Sequence, residues 1–451
     1  MKEEVRMQNQ ISIEIPKKVS FILETIRRVD KEAFVVGGCV RDSILHRKPE
    51  DWDITTSANP ELVKALFKHT IDTGLKHGTV TVMVEGEGFE VTTYRIDGKY
   101  EDGRHPSEVI FTPSLEEDLK RRDFTINAMA YSDRTGIVDL FGGLEDIKRS
   151  VIRCVGDARE RFQEDALRMM RAVRFSAQLG YEIEEKTKEA IKELAPNLKM
   201  ISAERIQTEL VKTVISDHPD YLREAYKLGM TKVFMPEFDK TMETPQNHPH
   251  HQYSVGEHIL HSMLEIPPRK ELRLAMLFHD IGKPEVLEID EEGITHFHGH
   301  ETVSAEISKA VMKRLKFDND TIDRVSRLVY WHGYGTEADE KYVRRRMNQI
   351  GEDIFDDYLL AKRADTLAQS LFQRKEKLER QEAFKDIYLQ ILEKKQCVSL
   401  KDLAVSGRDL IEIGIAPGRH MGEILNELLD EVLDDPECNK REYLIKRAKE
   451  L

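Results

Sequence analysis

The chain has 451 residues, of which 40% are hydrophobic, which is enough for more than one folded core. Its apolar runs are too short for a membrane-spanning helix, its first residues mix charges without an apolar secretory core, and its four cysteines are scattered. Scattered cysteines argue against a zinc cage or a disulfide framework, so we expect a soluble cytoplasmic protein with no membrane partner. The formal net charge of -14 means that an RNA partner would have to meet a local basic face.

The first part of the chain predicts mixed helix and strand. Apolar or alternating runs at residues 33–36, 51–56, 79–84 and 89–94 predict four strands, and the Gly-, Asp- and Pro-rich residues 97–106 predict a loop. After about residue 144 the strand signals nearly vanish. Residues 163–179 and 184–194 then carry apolar residues at helical spacing.

The second part of the chain predicts helices only. A segment rich in Pro and His, residues 244–252, predicts a boundary. A helical block follows it, then a highly charged helix around residues 371–395 and a small C-terminal unit. The predicted fold class is α+β, with a small N-terminal sheet flanked by helices and a mostly helical remainder.

Three short basic runs could supply a local basic face for RNA. They occupy residues 120–122, 344–346 and 394–395. Solvated helix faces have the same composition, so these runs alone neither support nor exclude an RNA partner.

The strongest local signal is the run GGCVRD, residues 37–42, followed by Asp51-Trp52-Asp53. Paired glycines after a strand let the backbone approach a phosphate, and Arg41 adds positive potential. Residues two apart on a strand face the same side, so Asp51 and Asp53 would present two carboxylates to a pair of Mg²⁺ ions. Glu90 on a neighbouring strand is our candidate for a third carboxylate. A lone DxD is more often a solvated strand edge, but the preceding motif favours a catalytic site.

Two further motifs offer groups for a nucleotide. In RRDFTINA, residues 121–128, Arg122, Asp123 and Asn127 could meet on one helical turn and contact a ribose and a triphosphate. In EDALRMMRAVRF, residues 164–175, Asp165 and Arg168 lie one helical turn apart and Arg171 and Arg174 continue the stripe. These residues could form an i,i+3 salt bridge, or an acceptor and a donor that read the Watson–Crick edge of C or A and reject G and U.

Together these ordered motifs resemble the signature set of class II CCA-adding enzymes (tRNA nucleotidyltransferases), in the superfamily typified by DNA polymerase beta. The resemblance is close over residues 35–175 and looser to the end, where SGRDLIEIGIAPGRHMGEILNEL, residues 406–428, resembles the family's tail. It implies metal ligands at Asp51 and Asp53. The nucleotide contacts that it implies are Gly38, Arg41, Arg122, Asp165, Arg168, Arg171 and Arg174.

The resemblance also implies an architecture and an activity. The expected parts are a nucleotidyltransferase head at residues 20–150, a helical neck and RNA-binding region at 151–245, a helical metal-binding domain at 246–370 and a helical tail at 371–451. The implied activity is template-independent addition or repair of the 3′-terminal CCA of tRNA from CTP and ATP, with Mg²⁺ as cofactor and pyrophosphate as product. The sequence leaves the oligomeric state open.

Bacterial poly(A) polymerases and separate CC-adding and A-adding enzymes share most of these motifs. Residues 95–106 resemble the flexible loop that addition of the final A requires and that CC-only enzymes shorten. This loop disfavours a CC-only enzyme, but it does not separate full CCA addition from A-addition alone or from polyadenylation.

A second metal signal lies in the later helical block. Its imidazoles and carboxylates are ligands for first-row transition metals. The spacing resembles the HD superfamily of metal-dependent phosphohydrolases, and the resemblance implies the ligands His258, His279, Asp280 and Asp365, with His300 and His332 completing a second metal position. We therefore expect a divalent transition metal here. An HD phosphohydrolase whose head only binds nucleotides is the alternative from another class, but it would require damage to the head motifs.

Overall fold

The computed structural model describes residues 11–98 and 109–451. The chain divides into two compact units, the first ending at Pro236 and the second running from Glu237 to Leu451. The division falls a few residues before the Pro- and His-rich segment that was expected to mark a boundary. The four-part division into head, neck, metal-binding domain and tail stays a prediction.

A seven-stranded mixed sheet forms the centre of the first unit. Its order is β3-β4-β5-β2-β1-β8-β9, in which β2 and β5 are parallel and the other neighbours are antiparallel. β6 and β7 pair as a separate ribbon. The strands are β1 (Ala33–Val36), β2 (Ile54–Thr56), β3 (Thr70–Gly74), β4 (Thr79–Val84), β5 (Glu87–Thr93), β6 (Arg95–Asp97), β7 (Val109–Phe111), β8 (Met129–Ser132) and β9 (Gly136–Asp139).

Both faces of this sheet are covered, which explains why its central strands are short and apolar. Val35 of β1 belongs to the larger core, which also takes Ile22 and Ile26 from the first helix. Phe34 and Val36 point to the opposite face, as successive strand residues must, and contribute to a smaller core with Tyr94. The sheet is thereby held as a rigid base for the residues at its strand ends.

Twelve helices begin within the described part of the first unit, and the last of them crosses into the second. They are α1 (Lys17–Arg27), α2 (Gly38–Ile44), α3 (Pro60–Leu66), α4 (Leu115–Lys120), α5 (Gly143–Arg149), α6 (Ala158–Glu164), α7 (Leu167–Leu179), α8 (Glu185–Leu194), α9 (Ala203–Val214), α10 (Leu222–Lys227), α11 (Thr231–Phe234) and α12 (Pro236–Glu243). α7 packs along α9, and β10 (Val151–Ile152) pairs in parallel with β11 (Glu182–Ile183).

The second unit is helical apart from one small hairpin, β12 (Glu288–Ile289) and β13 (Thr295–His296). α13 and α14 pack against each other and against α18, and α15 packs along α16. The helices are α13 (Val255–Leu264), α14 (Lys270–Phe278), α15 (His300–Arg314), α16 (Asn319–Trp331), α17 (Glu340–Ile350), α18 (Glu352–Ala368), α19 (Arg374–Glu393), α20 (Gly407–Glu412), α21 (Arg419–Asp434) and α22 (Arg441–Ala448). Among the described residues, no helix has the length and apolar character to cross a bilayer.

The predicted α+β class is confirmed. The strands at 33–36 and 79–84 and the helix at 184–194 lie where the sequence predicts them, and the charged helix is α19. The predicted strand at 51–56 begins only at Ile54, and the predicted helix at 163–179 is interrupted at Asp165, which has an extended backbone (φ -146, ψ 105). Of the predicted loop, residues 99–106 lie outside the described residues.

Candidate active site and metal centre

A tight turn brings the backbone of Gly37 and Gly38 against a guanidinium. Gly37 has φ +83, a left-handed conformation that favours glycine, and a Cβ built on it would lie 3.0 Å from Nη1 of Arg122. α2 begins at Gly38. Gly37 therefore allows the guanidinium of Arg122 to approach the backbone at the end of β1, and a side chain at this position would crowd that guanidinium.

Asp51 and Asp53 are exposed and lie immediately before β2 rather than on it. The amide of Val36 donates to the carbonyl of Asp53 over 3.0 Å, so the backbone already runs alongside β1 here. Trp52 packs against the core of the sheet, and its two neighbours therefore face the other way. The expectation of a shared side is met by this packing, although the strand itself starts one residue later.

Glu90 lies beside these carboxylates. β2 and β5 are parallel with Ile54 opposite Val91, so Asp53 and Glu90 occupy equivalent positions one residue earlier on each chain segment. Desolvation and the negative charges of Asp53 and Asp51 raise the pKa of Glu90. The pKa of Asp53 is also raised, mainly by desolvation; the charge of Arg122 acts against this shift, and the charge of Asp51 adds to it. Three carboxylates that repel one another in this way fit a site for divalent cations.

Arg122 supplies the positive charge of this cleft. Its guanidinium contacts Asp118 only at 3.8 Å, and its Nε is buried with no hydrogen-bond partner among the described residues. Burial lowers its pKa, and the charges of Asp118 and Asp53 act against that shift. A buried guanidinium with an unused donor fits an anionic ligand such as a triphosphate.

Asp123 organises the groups behind Arg122. Its carboxylate accepts from the amide of Phe124 (2.8 Å) and from Nε of Arg171 (2.7 Å). Burial would raise its pKa, but the charges of Arg171 and Arg168 together with these hydrogen bonds outweigh burial, and the pKa falls to about 2. Asn127 ends a single 3-10 turn (Thr125–Asn127), so these residues do not share the α-helical turn that was expected. Oδ1 of Asn127 nevertheless accepts from Nη1 of Arg41 over 2.7 Å.

The ring of Phe175 collects three guanidinium groups. Those of Arg41, Arg171 and Arg174 lie 5.1, 5.2 and 4.0 Å from its centroid. Arg174 is buried and donates to Glu209 over 2.5 Å, which neutralises it within the protein. On α7, Arg171 therefore pairs with the head residue Asp123 and Arg174 pairs with Glu209, and the nucleotide contacts implied for both arginines stay predictions.

The side chains of Asp165 and Arg168 do not pair with each other, so the i,i+3 salt bridge, one of the two interpretations of this motif, is not formed. Asp165 accepts from Nη2 of Arg205 (2.6 Å) and from the amide of Leu167 (3.0 Å), and this second bond caps the interrupted helix. Arg168 donates to Glu164 over 2.5 Å and to the carbonyl of residue 121 over 3.1 Å. Each side chain still has unused hydrogen-bonding positions, two lone pairs on the carboxylate and Nε–H on the guanidinium.

Sequence reasoning missed Arg205 and Glu209 on α9, which hold Asp165 and Arg174. The two residues lie four apart and therefore on one helical face, which is a signal that the sequence does contain. Their partners are 40 and 35 residues away along the chain, and nothing in the sequence indicates which acid meets which base.

The second unit brings the six predicted metal ligands into one cluster. His258 Nε2 lies 3.1 Å from His279 Nε2 and 2.9 Å from Oδ1 of Asp365. On the other side, His300 Nε2 and His332 Nε2 are 3.2 Å apart. All but His300 of this cluster are fully buried, and His300 is partly buried.

Asp280 lies between the two histidine pairs. Its Oδ2 is 3.4 Å from His279 Nε2, and its Oδ1 is 3.3 Å from His300 Nε2 and 3.5 Å from His332 Nε2. Lys283 contacts Oδ2 over 2.7 Å. The charges of His279 and Lys283 hold the pKa of Asp280 well below its usual range in spite of complete burial. A carboxylate with one oxygen toward each histidine pair fits two neighbouring cations.

Backbone carbonyls outside the cluster fix the tautomers of three of its histidines. Nδ1 of His279, His300 and His332 each faces a backbone carbonyl at 2.6 to 2.8 Å and therefore carries the proton. Their Nε2 lone pairs are left facing one another, which is unfavourable unless a cation or a proton lies between them. Burial lowers the pKa of His332 to about 4, whereas the charge of Asp280 raises the pKa of His279 in spite of burial.

Among the described residues, sets of three ligand atoms within 4.8 Å of one another occur only in this cluster, and the head carboxylates form none. A cavity of about 350 Å³ adjoins the cluster at His300. Its other basic lining residues are His248, His250, His251, Lys283, His296, His298 and Lys377. The second unit thus contains a largely buried cluster of side chains that could hold a metal ion, next to a cavity lined by histidines and lysines.

Three family models match separate parts of the chain. "Poly A polymerase head domain" matches residues 33–153 and "Probable RNA and SrmB-binding site of polymerase A" matches 180–242. The model for tRNA nucleotidyltransferase domain 2 matches residues 287–448. The first match covers the glycine turn, the carboxylates and Arg122, and the third covers His300, His332 and Asp365.

Relatives are similar over nearly the whole chain. A CCA-adding enzyme of Lactobacillus helveticus is 39% identical over 409 residues, which are 90% of each chain. The crystal structure of the Bacillus stearothermophilus CCA-adding enzyme in complex with CTP aligns with a TM-score of 0.74 and 30% identity, covering 96% of both chains. The Thermotoga maritima CCA-adding enzyme complexed with tRNA aligns with a TM-score of 0.59 at 21% identity, covering 99% of this chain and 97% of that one, and supports the fold alone.

Proposed function

The chain belongs to the family of CCA-adding enzymes and is a nucleotidyltransferase, and we propose that it adds or repairs the 3′-terminal CCA of tRNA from CTP and ATP without a nucleic-acid template. The observation that carries the proposal is the cleft of the first unit. There, three mutually repelling carboxylates lie near a partly buried guanidinium that packs against the glycine turn. The reducing cytoplasm remains the proposed compartment, since all four cysteines are free.

Asp51, Asp53 and Glu90 are proposed to hold Mg²⁺. Bound there, Mg²⁺ would supply an activated attacking hydroxyl and charge neutralisation on the triphosphate. Arg122 would bind the triphosphate, because its guanidinium lies against Gly37 and within the electrostatic influence of Asp53. Arg41 and Asn127, joined by their hydrogen bond, would meet the ribose or the phosphates.

Asp165 and Arg168 are proposed to read the base. The lone pairs left on Asp165 can accept from the exocyclic amine of C or A, and the unused donors of Arg168 can reach the ring nitrogen. Arg205 and Asp123 would act as positioning residues, Arg205 through Asp165 and Asp123 through Arg171. Gly38 would contribute backbone close to the phosphates.

Product length separates this proposal from polyadenylation. A tRNA transcript without its CCA end and a single-stranded RNA oligonucleotide are incubated separately with CTP, ATP and Mg²⁺. The proposal predicts growth of the tRNA by three nucleotides and then a stop, and little extension of the oligonucleotide. A long ATP-dependent tail on either RNA would overturn it in favour of a poly(A) polymerase.

The histidine cluster supports a second candidate function, metal-dependent hydrolysis of a phosphoester. The supporting observation is the pair of facing imidazole nitrogens on each side of Asp280. Two cations held there would polarise a phosphoryl oxygen and activate water, and the basic cavity beside His300 would admit a phosphate.

We expect Asp280→Ala to remove both the metal and any hydrolysis, because Asp280 is the one residue that faces both histidine pairs. Purified protein is assayed for bound metal by mass spectrometry and, with added Mn²⁺, Ni²⁺ or Co²⁺, for cleavage of 2′,3′-cyclic nucleotides. Asp323→Asn is the control, since Asp323 is an exposed acid of the same unit that pairs with Arg327 at 3.6 Å, and neither residue lines the cavity. Addition to tRNA should persist in both variants. Wild-type protein that retains no metal and cleaves nothing would contradict this second function.

A further inference from the structure

The three basic runs of the sequence make different contacts in the structure. In the run 120–122, Arg121 and Arg122 face Asp118 in the head, and in the run 394–395, Lys394 lies 3.6 Å from Glu340. In the run 344–346, the first two arginines contact the end of α21. Arg344 donates to the carbonyls of residues 433 and 434, and Arg345 forms an ion pair with Asp434 at 2.6 Å.

Arg346 differs from both of its neighbours. No carboxylate among the described residues lies within 4.0 Å of its guanidinium, and its one hydrogen bond there goes to Gln349 (2.9 Å). The flat guanidinium instead lies over aromatic rings, with its carbon 4.9 Å from the centroid of Tyr334, 4.8 Å from that of Tyr342 and 5.8 Å from that of Trp331. We call these four side chains the aromatic–arginine cluster.

The cluster is fixed by contacts of its own. The rings of Trp331 and Tyr334 are 4.7 Å apart, and the hydroxyl of Tyr334 donates to that of Tyr330 over 3.0 Å. The hydroxyl of Tyr342 donates to the carbonyl of Gly335 over 2.9 Å, which ties the loop after α16 to α17. All four members are partly exposed, so the cluster lies at the surface with Arg346 held in one orientation.

The stacked guanidinium of Arg346 is held in an orientation that suits phosphate binding. Ring faces attract its cationic face and exclude water from it, while the N–H groups along its edge keep their donors. Phosphate oxygens accept from such an edge more strongly than neutral groups do. The acidic groups nearest in sequence already have partners, because Asp339 caps α17 and Glu340 contacts Arg344 and Lys394.

We propose that the aromatic–arginine cluster binds a backbone phosphate of the tRNA substrate. The occupant follows from charge complementarity: in a chain of net charge -14, a surface arginine without a carboxylate partner is a place where a polyanion can approach. The inference rests on the proposed function, since that function supplies the RNA. A Lys-rich run would give diffuse attraction, whereas one stacked arginine gives a single, oriented contact.

The test compares two variants that remove one positive charge from adjacent positions of α17. Arg346→Met keeps an unbranched stem on the rings, and Arg345→Met removes a residue that Asp434 already neutralises. The dissociation constant of a mature tRNA transcript ending in CCA is measured without nucleotides at several salt concentrations. Loss of one phosphate contact should weaken binding several-fold at low salt and reduce the slope of log K against log salt by about 1.

We expect this reduced slope for Arg346→Met, the wild-type slope for Arg345→Met, and recovery of most of the slope in Arg346→Lys. Equal slopes for the two methionine variants would overturn the inference, and so would a slope for Arg346→Lys as low as that for Arg346→Met. Thermal melts of all three variants identify any loss of folding. If Arg346→Met does not fold, the slope measured for Arg346→Lys tests the inference instead. Wild-type protein that binds this tRNA but extends no truncated tRNA would instead contradict the proposed function.

Discussion

Replacing Asp53 by Asn lowers kcat for nucleotide addition by on the order of 10³-fold or more, while tRNA affinity changes little. The variant keeps the shape of the side chain and the backbone bond to Val36 but removes one of the charges that would bind Mg²⁺. Stabilisation of a transferring phosphoryl group by such a charge is worth several kcal/mol, and about 4 kcal/mol corresponds to 10³-fold. Single-turnover CTP incorporation and tRNA binding, measured in parallel, give the two numbers.

Two variants of β5 separate a catalytic effect from a general effect of charge. Glu87 is exposed and pairs with Lys18 over 3.1 Å, so Glu87→Gln should leave addition close to the wild-type rate. Glu90→Gln should reduce kcat strongly if Glu90 is the third carboxylate. A rate for Asp53→Asn within tenfold of wild type would remove these carboxylates from the mechanism, whereas a normal rate for Glu90→Gln would remove Glu90 alone.

Replacing Asp165 by Ala admits UTP or GTP and lowers discrimination against them by roughly tenfold to a hundredfold. A protein without a nucleic-acid template selects bases only through its own side chains. Loss of the acceptor leaves a polar base edge unpaired in a partly dry pocket, which costs about 1–3 kcal/mol. Arg168→Ala should have a similar effect, and Arg205→Ala a smaller one of the same kind, because Arg205 acts through Asp165.

Competition among all four nucleoside triphosphates measures this selectivity as ratios of kcat/KM. Glu193→Gln is the matched control, because Glu193 is an exposed acid of the same unit that pairs with Arg159. A folded Asp165→Ala variant that keeps its preference for C and A would contradict the base-reading role. A change in stability alone would indicate that Asp165 serves only to cap α7.

Local patterns in the sequence predict the elements that carry the head chemistry. The glycine turn and the paired carboxylates can be predicted from residues that are neighbours in the chain, because their geometry follows from glycine's conformational freedom and from strand alternation. The order of the motifs is read directly from the sequence. The edge strand β3 escapes prediction for the opposite reason: its residues are largely exposed and show no apolar alternation. The break in the helix at Asp165 is not predicted either, because the apolar spacing continues through it. In the structure, the hydrogen bond from the Leu167 amide to the Asp165 carboxylate marks the break.

Tertiary pairing decides the rest of the site. The sequence suggests that Asp165 and Arg168 could bond to each other, but Arg205 and Glu164 are nearer and better placed. The six predicted metal ligands, spread over more than 100 residues, do lie together in the structure, because their spacing follows helices whose packing the family resemblance already implies. The role of Arg346 could not be predicted, since three consecutive arginines look alike until two of them meet partners on α21.

The most direct test of the central claim uses tRNA transcripts that end before CCA, before CA and before A. Each is incubated with CTP alone, with ATP alone and with both, and the product masses are determined. The account predicts two C additions to the first transcript with CTP alone, one C to the second, one A to the third with ATP alone, and completion of CCA in every mixture. Addition of A only, with no incorporation from CTP on any transcript, would contradict it.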